Sequence, residues 1–192
     1  MCRQNLLTAG NSTMPRSVGI WNLPAPQTCT PSSWCEEHCY ACQNRYKWQT
    51  VQEAYHWRYC KSHEVSFVHQ MIEEISRRRS LHWIRVHISG DFYSRKYVES
   101  WAQIAEEFPG ITFRTNTKRQ DLLPHMVKVF PKNFVVRESI DVTREATGLV
   151  PVHAIVGTPR TDDYFVCCND CTQCCFHCWV YPGIDVRTAT IL

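Results

Sequence analysis

Three cysteines in one short segment, Cys35, Cys39 and Cys42, follow the spacing C-x₃-C-x₂-C, and Cys29 stands shortly before them. Thiolates are ligands of zinc and of iron–sulfur clusters. Structural zinc sites commonly use paired C-x₂-C knuckles, whereas three close thiolates in one loop match three corners of a cubane 4Fe-4S cluster. The loop therefore predicts an iron–sulfur site. Its local ligands are Cys35 and Cys39 with Cys29, Cys42 or both, and zinc is the alternative metal.

A second group of cysteines lies in the segment CCNDCTQCCFHC, which holds six of the twelve cysteines between Cys167 and Cys178. Core packing requires no such spacing, whereas overlapping C-x₂-C pairs are typical of metal ligands. The expected ligands are Cys168, Cys171, Cys174, Cys175 and Cys178. Two arrangements stay open, a second complete cluster or a tail that folds back to complete one cluster with the first loop. Zinc is again the alternative.

Composition limits the classes of protein. A chain of 192 residues, 44% of them hydrophobic, is long enough for one domain with a core. It has no apolar run long enough for a membrane span, and its first residues lack the apolar segment of a signal peptide. We therefore expect a cytoplasmic protein with no membrane partner and with reduced thiols. The net charge of +3 supports a nucleic-acid partner weakly, and nothing indicates the oligomeric state.

The elements that must position these residues alternate between strand and helix. Helical periodicity occupies residues 45–61, 65–75, 94–108 and 122–129, and strand patterns occupy residues 18–24, 82–91, 111–117, 133–140 and 151–157. This order predicts an α/β fold, built either as a partial parallel (β/α) barrel or as an open parallel sheet. We expect a flexible arm over residues 1–17, an α/β domain with the N-terminal cluster loop over 18–166, and a cysteine-rich metal-binding tail over 167–192, packed on that domain.

One face of the predicted strands is polar, although buried parallel strands are usually apolar on both faces. This face carries Arg85, His87, Ser89, Thr112, Arg114, Asn116, Arg137, Ser139 and His153. Burying three arginines without partners would be prohibitive, so the face is predicted to line a cavity filled by solvent or ligand. An open sheet with one wet face is the alternative. Arginines suit phosphate or carboxylate groups, which predicts a small-molecule or nucleotide-like anionic substrate. The candidate catalytic residues are Arg85, His87, Asp91, Arg114 and Arg137.

The first cysteine motif resembles that of radical S-adenosylmethionine (SAM) enzymes, in which one iron of the cluster stays open to bind SAM. The strand-end triplet Ser89, Gly90 and Asp91 is similar to the Gly-Gly-Glu of those enzymes, which receives the SAM amino group. The resemblance implies that Ser89, Gly90, Asp91, Asn116 and Ser139 bind the cofactor. One feature departs from the pattern, because an aromatic residue normally precedes the third cysteine and here Tyr40 stands one position too early.

A closer resemblance covers most of the chain. The segments GIWNLPAPQTC, CEEHCYA, RVHISGDFYS and FVVRESID resemble the phage and bacterial family called gene product 88. That resemblance implies a ligand set of Cys29, Cys35 and Cys39 together with tail cysteines. It implies little about a reaction.

Three functions stay open at this point. The first is a radical-SAM-like iron–sulfur enzyme with one or two 4Fe-4S clusters. The second is an iron–sulfur redox or regulatory protein that does not use SAM. The third is a zinc-binding module that interacts with nucleic acid or protein. In that module Trp34, Tyr40, Tyr46 and Trp48 would stack on bases.

Overall fold

The structure is a computed structural model that describes residues 5–154, 164–173 and 175–188. These residues form a single eight-stranded sheet in the order β1-β2-β3-β4-β5-β6-β8-β7. The strands are β1 Thr8–Ala9, β2 Val18–Trp21, β3 Trp83–Val86, β4 Thr112–Thr117, β5 Phe134–Ile140, β6 Val152–Ala154, β7 Phe165–Cys167 and β8 Val186–Thr188. Strand β1 pairs antiparallel with β2, and the other neighbouring strands pair in parallel. The predicted α/β fold with a mostly parallel sheet is confirmed.

Helices cover one face of this sheet. They are α1 Ser33–His38, α2 Gln49–Ser62, α3 Phe67–Arg77, α4 Arg95–Glu106, α5 Leu123–Val129 and α6 His177–Val180. Helix α4 begins where the Ser94 hydroxyl accepts a hydrogen bond from the backbone N–H of Tyr97. Helices α3 and α4 place Met71 and Trp101 in the main core, where the β3 side chain Ile84 joins them. The apolar residues that recur at helical spacing in α3 and α4 are therefore the ones that these helices bury against the sheet.

The sheet is strongly curled. Val18 and Ile20 of β2 share a buried cluster with Cys167 of β7, Val186 of β8 and Trp179 of α6. In a flat sheet of this strand order, five steps of ~4.8 Å would separate β2 from β8 by about 24 Å. Only curling brings these two strands around one helix, so helix α6 lies on the concave side that helices α2 to α5 leave uncovered.

Two segments differ from the sequence expectation. The expected flexible arm is at least partly exposed over most of residues 5–17, but Leu6 and Leu7 are buried and the Arg58 side chain donates to the backbone oxygen of Leu6 at 2.7 Å. The strand predicted over residues 82–91 ends at Val86. Positions 155–157 of the last predicted strand lie outside the described residues. Among the described helices, none has the length and apolar character needed to cross a membrane.

Candidate functional site

The first cysteine loop, residues 22–48, leaves the carboxyl end of β2 and is held against the ends of the neighbouring strands. At its start, the side-chain oxygen of Asn22 accepts a hydrogen bond from the backbone N–H of Ser89 at 3.2 Å. Further along, the hydroxyl of Ser32, which caps helix α1, donates to the buried carboxylate of Asp141 at the end of β5. The loop is thus fixed at two points on the sheet, and its cysteines lie between and just beyond them.

The four thiols of this loop interact with one another. The proximity of Cys39 raises the pKa of Cys35, and the proximity of Cys35 lowers the pKa of Cys39. Cys42 also lowers the pKa of Cys39. Burial, with the negative charge of Asp91, raises the pKa of Cys29 to about 12. All four cysteines are free thiols, and each of the other three interacts with Cys39.

The tail contributes a second group of thiols. Cys167, Cys171 and Cys178 are buried, and Cys167 is hydrogen-bonded to the sulfur of Cys178. Cys178 also accepts a hydrogen bond from Arg114 Nη1 at 2.7 Å, and the bond from Cys167 together with this positive charge lowers the pKa of Cys178. Cys167 was missing from the expected ligands. It is buried because it ends the short strand β7, and three residues are too few for the sequence to show which side chain turns inward.

The other expected tail ligands are placed differently. Cys168 and Cys175 are exposed, and the Cys168 thiol donates to the backbone oxygen of Asp170 at 3.3 Å. Cys174 lies outside the described residues. Left-handed backbone at Cys175 (φ 49°) and Phe176 (φ 57°) precedes helix α6, which carries Cys178 inward. Of the predicted set, the structure therefore buries Cys171 and Cys178 and turns Cys168 and Cys175 to solvent.

These thiols are of the right chemical type to bind a metal, but they are not arranged around a common point. Across residues 5–154, 164–173 and 175–188, no three His, Cys, Asp or Glu side chains are close enough to hold a metal ion as they stand. The loop nonetheless supplies four reduced, neighbouring thiols, which is the donor type of zinc and iron–sulfur sites. Side-chain rotation within the loop would be needed to close them around a metal.

Arg85 and Arg114 lie side by side on one face of the sheet because they are register partners in β3 and β4. A terminal guanidinium nitrogen of each lies 3.3 Å from the same atom of the Asn116 side-chain amide. Both arginines are more than nine-tenths buried. Burial, with the charge of Arg114, lowers the pKa of Arg85 to about 10. The structure thus brings together three of the polar residues that strand alternation predicted on one face.

Arg137 shares that face but is tied to the tail. Its guanidinium donates to the backbone oxygens of Cys178 at 3.1 Å, Tyr181 at 3.0 Å and Ile184. The ring of Trp179 also lies over Arg114, with 5.7 Å between the guanidinium carbon and the ring centroid. The tail therefore covers much of the face that was expected to line an open cavity. For Arg137 this is a structural role, because its hydrogen bonds hold the tail in place.

The expected position of His87 is corrected by the structure. Strand β3 ends one residue earlier, and His87 has a left-handed backbone with φ 61°. Its ring packs on Phe92 and accepts or donates a 3.0 Å hydrogen bond with the Tyr97 hydroxyl, on the side of helix α4. Strand alternation no longer applies beyond the strand end, so His87 points into the helical layer and away from Arg85 and Arg114.

The Ser89–Gly90–Asp91 triplet joins the loop to the sheet. Asp91 accepts hydrogen bonds from the Thr117 hydroxyl at 2.7 Å and from the backbone N–H of Lys118 at 2.8 Å. Ser89 Oγ donates to the backbone oxygen of Leu23 at 3.0 Å. The triplet was expected to hold the SAM amino group. Its Ser89 and Asp91 side chains already make these internal bonds.

Lys118, Ser139 and His153 lie beside the polar residues Arg85, Arg114 and Asn116 on the same face of the sheet. Lys118 Nζ donates to Ser139 Oγ at 2.8 Å, which places the predicted cofactor residue Ser139 beside a cation. His153 lies 3.4 Å from Arg114 Nη2, and burial with the charges of nearby arginines and Lys118 holds its pKa well below 6.5. Lys118 was missed because it follows the last strand residue of β4. Its place two residues after Asn116 was the available signal.

The fold and the site define a cysteine-rich α/β protein with a thiol loop over the carboxyl ends of a parallel sheet. The chain belongs to the gene product 88 family, whose family model matches residues 2–164. The matched residues include the first cysteine loop and end before the six tail cysteines. No curated protein and no solved structure matches the chain.

Proposed function

We propose that the chain is an iron–sulfur protein in which Cys35 and Cys39, with Cys29, Cys42 or both, hold a 4Fe-4S cluster. The observation that carries this proposal is that one short loop holds four free, partly buried cysteines. Thiols bind metals as thiolates, so metal binding would displace the protons that these cysteines now carry. The place also supports the proposal, since open α/β sheets bind ligands beyond the carboxyl ends of their strands.

The enzymatic form of the proposal is a radical-SAM-like enzyme that acts on a small or nucleotide-like substrate. When bound with one open iron, the cluster would supply an electron for the cleavage of SAM. The C-x₃-C-x₂-C spacing supports this form. In it, Arg85, Arg114 and Asn116 orient the substrate beside the loop. Asp91 supports it less, because a SAM amino group would compete with the hydrogen bonds from Thr117 and Lys118.

A redox or regulatory iron–sulfur protein without SAM is the second candidate, and one observation favours it. Cys29 and Cys42 both interact electrostatically with Cys39. If both become ligands with Cys35 and Cys39, all four irons are coordinated by protein and SAM has no open position. For the tail, we propose a second metal site at Cys167, Cys171 and Cys178, with zinc as the alternative metal.

Metal and sulfide analysis of anaerobically prepared protein tests the proposal. We expect a brown protein with about four irons and four sulfides per loop cluster. Cys39→Ser should lose this iron, whereas Cys60→Ser, at an exposed position in α2, should keep it. Colourless protein that contains zinc alone would contradict the iron–sulfur proposal and favour the interaction module.

Two further variants separate the enzyme from the redox protein. Cys29→Ser and Cys42→Ser are compared by iron content and by electron paramagnetic resonance with and without SAM. A SAM-dependent spectral change in the parent, with the cluster retained in Cys29→Ser, supports the enzyme. No SAM effect in the parent, with cluster damage in both variants, supports the redox protein.

A further inference from the structure

The positive charges on the concave face of the sheet converge on one place. Arg85 and Arg114 meet at Asn116, and Lys118 extends from the end of the same strand to Ser139. The charges of both arginines and of Lys118 act together on the ring of His153. This group, named here the cation cluster, consists of Arg85, Arg114 and Lys118, with the ring of His153 beside them, and lies between the first cysteine loop and the tail.

The negative charge near the cation cluster is smaller than its positive charge. Asp141 lies 3.9 Å from Lys118 Nζ and also receives hydrogen bonds from Ser32 and Thr143. Arg85 and Arg114 form no ion pair with a carboxylate in the part of the chain that the structure describes. Their Nε–H groups are buried and have no hydrogen-bond acceptor among these residues.

A buried guanidinium without a counter-charge is expensive in free energy, and such groups persist where they bind something. The Nε–H donors of Arg85 and Arg114 have no acceptor among the described residues, and the same holds for Arg137, whose other donors bind the tail. Asn116, Lys118 and His153 are each partly exposed, so solvent reaches this place.

We propose that the cation cluster binds a phosphate-type oxyanion, the dianionic group of a small phosphorylated molecule, between Arg85, Asn116 and Lys118. Three cations with two carboxylates, Asp141 and Asp91, near Lys118 leave one positive charge in excess, which an incoming anion would neutralise. Guanidinium and ammonium donors arriving from different directions also match a tetrahedral oxyanion. Calling this anion part of a substrate rests on the proposed function, whereas the anion site itself requires no metal.

A competing explanation assigns the arginines to the tail thiols. Arg114 already donates to Cys178, and a metal–thiolate centre in the tail would add negative charge there. Lys118 separates the two explanations, because its side chain donates to Ser139 and not to sulfur, whereas the charges of Cys171 and Cys178 also act on Arg85.

Thermal unfolding of the full chain at constant ionic strength, with inorganic phosphate, adenosine monophosphate or acetate, tests the site. We expect the midpoint to rise with both phosphate compounds and to stay constant with acetate, since a ligand of the native state stabilises it. Arg85→Gln and Lys118→Gln should each weaken phosphate affinity at least tenfold. Arg45→Gln, at an exposed position of the first loop, is the matched control and should bind as the parent does.

The stability of Arg85→Gln without phosphate shows whether a loss of phosphate binding is caused by a folding defect. This substitution removes an uncompensated buried charge, so its midpoint without phosphate should equal or exceed that of the parent. Iron per chain is measured in the same samples. Absence of iron from the anaerobic protein would contradict the proposed function, and phosphate stabilisation of that same protein would still support the anion site. A parent that does not respond to phosphate, an Arg85→Gln that responds as the parent does, or an Arg85→Gln that loses iron while binding phosphate normally would overturn the anion site.

Discussion

Arg114 on β4 donates a hydrogen bond to the sulfur of Cys178 on α6, with 2.7 Å between Nη1 and Sγ. Both residues are buried, so the bond joins the sheet to the tail inside the protein. A hydrogen bond from a charged donor is stronger than a neutral one, and leaving that donor unsatisfied costs more than the bond contributes. The attachment of the tail therefore depends on a cysteine whether or not that cysteine binds metal.

Replacing Cys178 by alanine tests this attachment. In the presence of a chelator, we expect Cys178→Ala to lower the free energy of unfolding by about 2 kcal/mol, because a buried Arg114 N–H loses its acceptor. Urea unfolding measures the change. Cys168→Ala, at an exposed cysteine of the same segment, should unfold as the parent does. Equal losses in the two variants would mean that the bond to Arg114 is not the cause.

Gly90 holds the first cysteine loop close to β3. Its φ is +81°, and a Cβ there would lie 2.7 Å from Leu23 Cβ and 2.8 Å from Thr28 Oγ1. We expect Gly90→Ala to cost about 3 kcal/mol of stability, through left-handed strain and displacement of the loop next to Cys29. Gly110→Ala is the control, because nothing lies within 4 Å of its added Cβ. Chemical denaturation of both variants decides the matter, and a stable Gly90→Ala would refute the close approach.

Asp91 is predicted to be a structural acceptor. Asp91→Asn keeps the shape of the side chain but replaces one acceptor by a donor that faces the Thr117 hydroxyl or the Lys118 N–H. We expect a loss of about 2 kcal/mol in the free energy of unfolding, measured without SAM or metal. Asp121→Asn, which removes a largely exposed partner of Arg119, should change stability little. If Asp91→Asn were as stable as the parent, the hydrogen bonds would not matter and a ligand role would regain support.

His87 should make the protein sensitive to acid. Burial, with the charge of Arg85, lowers the pKa of His87 to about 3, below the unfolded value of about 6.5. The unfolded chain therefore binds the proton first, and stability falls as the pH drops from about 6.5 towards 3, by up to ~1.4 kcal/mol per pH unit. His87→Asn, which tolerates left-handed backbone, should flatten this slope. His153 adds a slope of its own, so some acid sensitivity remains.

The control for His87 is His82→Asn, at an exposed position on the segment before β3. Free energies of unfolding at several pH values between 4 and 7 give the slope for each protein. A parent slope that His87→Asn leaves intact would place the acid sensitivity elsewhere.

The sequence predicted those elements in which a single physical rule determines which side chains are buried. The apolar period of α3 and α4 follows the face that they bury, and the alternation in β3 and β4 correctly placed Arg85 beside Arg114. The rule failed where the backbone left the strand. His87 takes a left-handed conformation one residue after β3, and alternation cannot signal where a strand stops.

The tail shows a second limit. Strands β7 and β8 have three residues each, too few for a period to appear, and their place depends on the curl of the whole sheet. The spacing of the cysteines therefore predicted a metal-binding group but not which thiols turn inward. Cys167 is buried because β7 faces the interior, and Cys168 is exposed because it comes next in the chain. Whether either binds metal stays a prediction.

The hydrogen bonds of Arg137 also set an order of assembly. This residue is in β5, and the carbonyl oxygens that bind it belong to residues 178 to 184. At a synthesis rate of about 5–20 residues per second, these carbonyls leave the ribosome seconds after β5, and the first cysteine loop leaves earlier still. Until they arrive, Arg137 stays hydrated and the curled sheet stays open on its concave side. In the nascent chain, the thiols of the first cysteine loop are therefore accessible to solvent before the tail covers the concave side of the sheet.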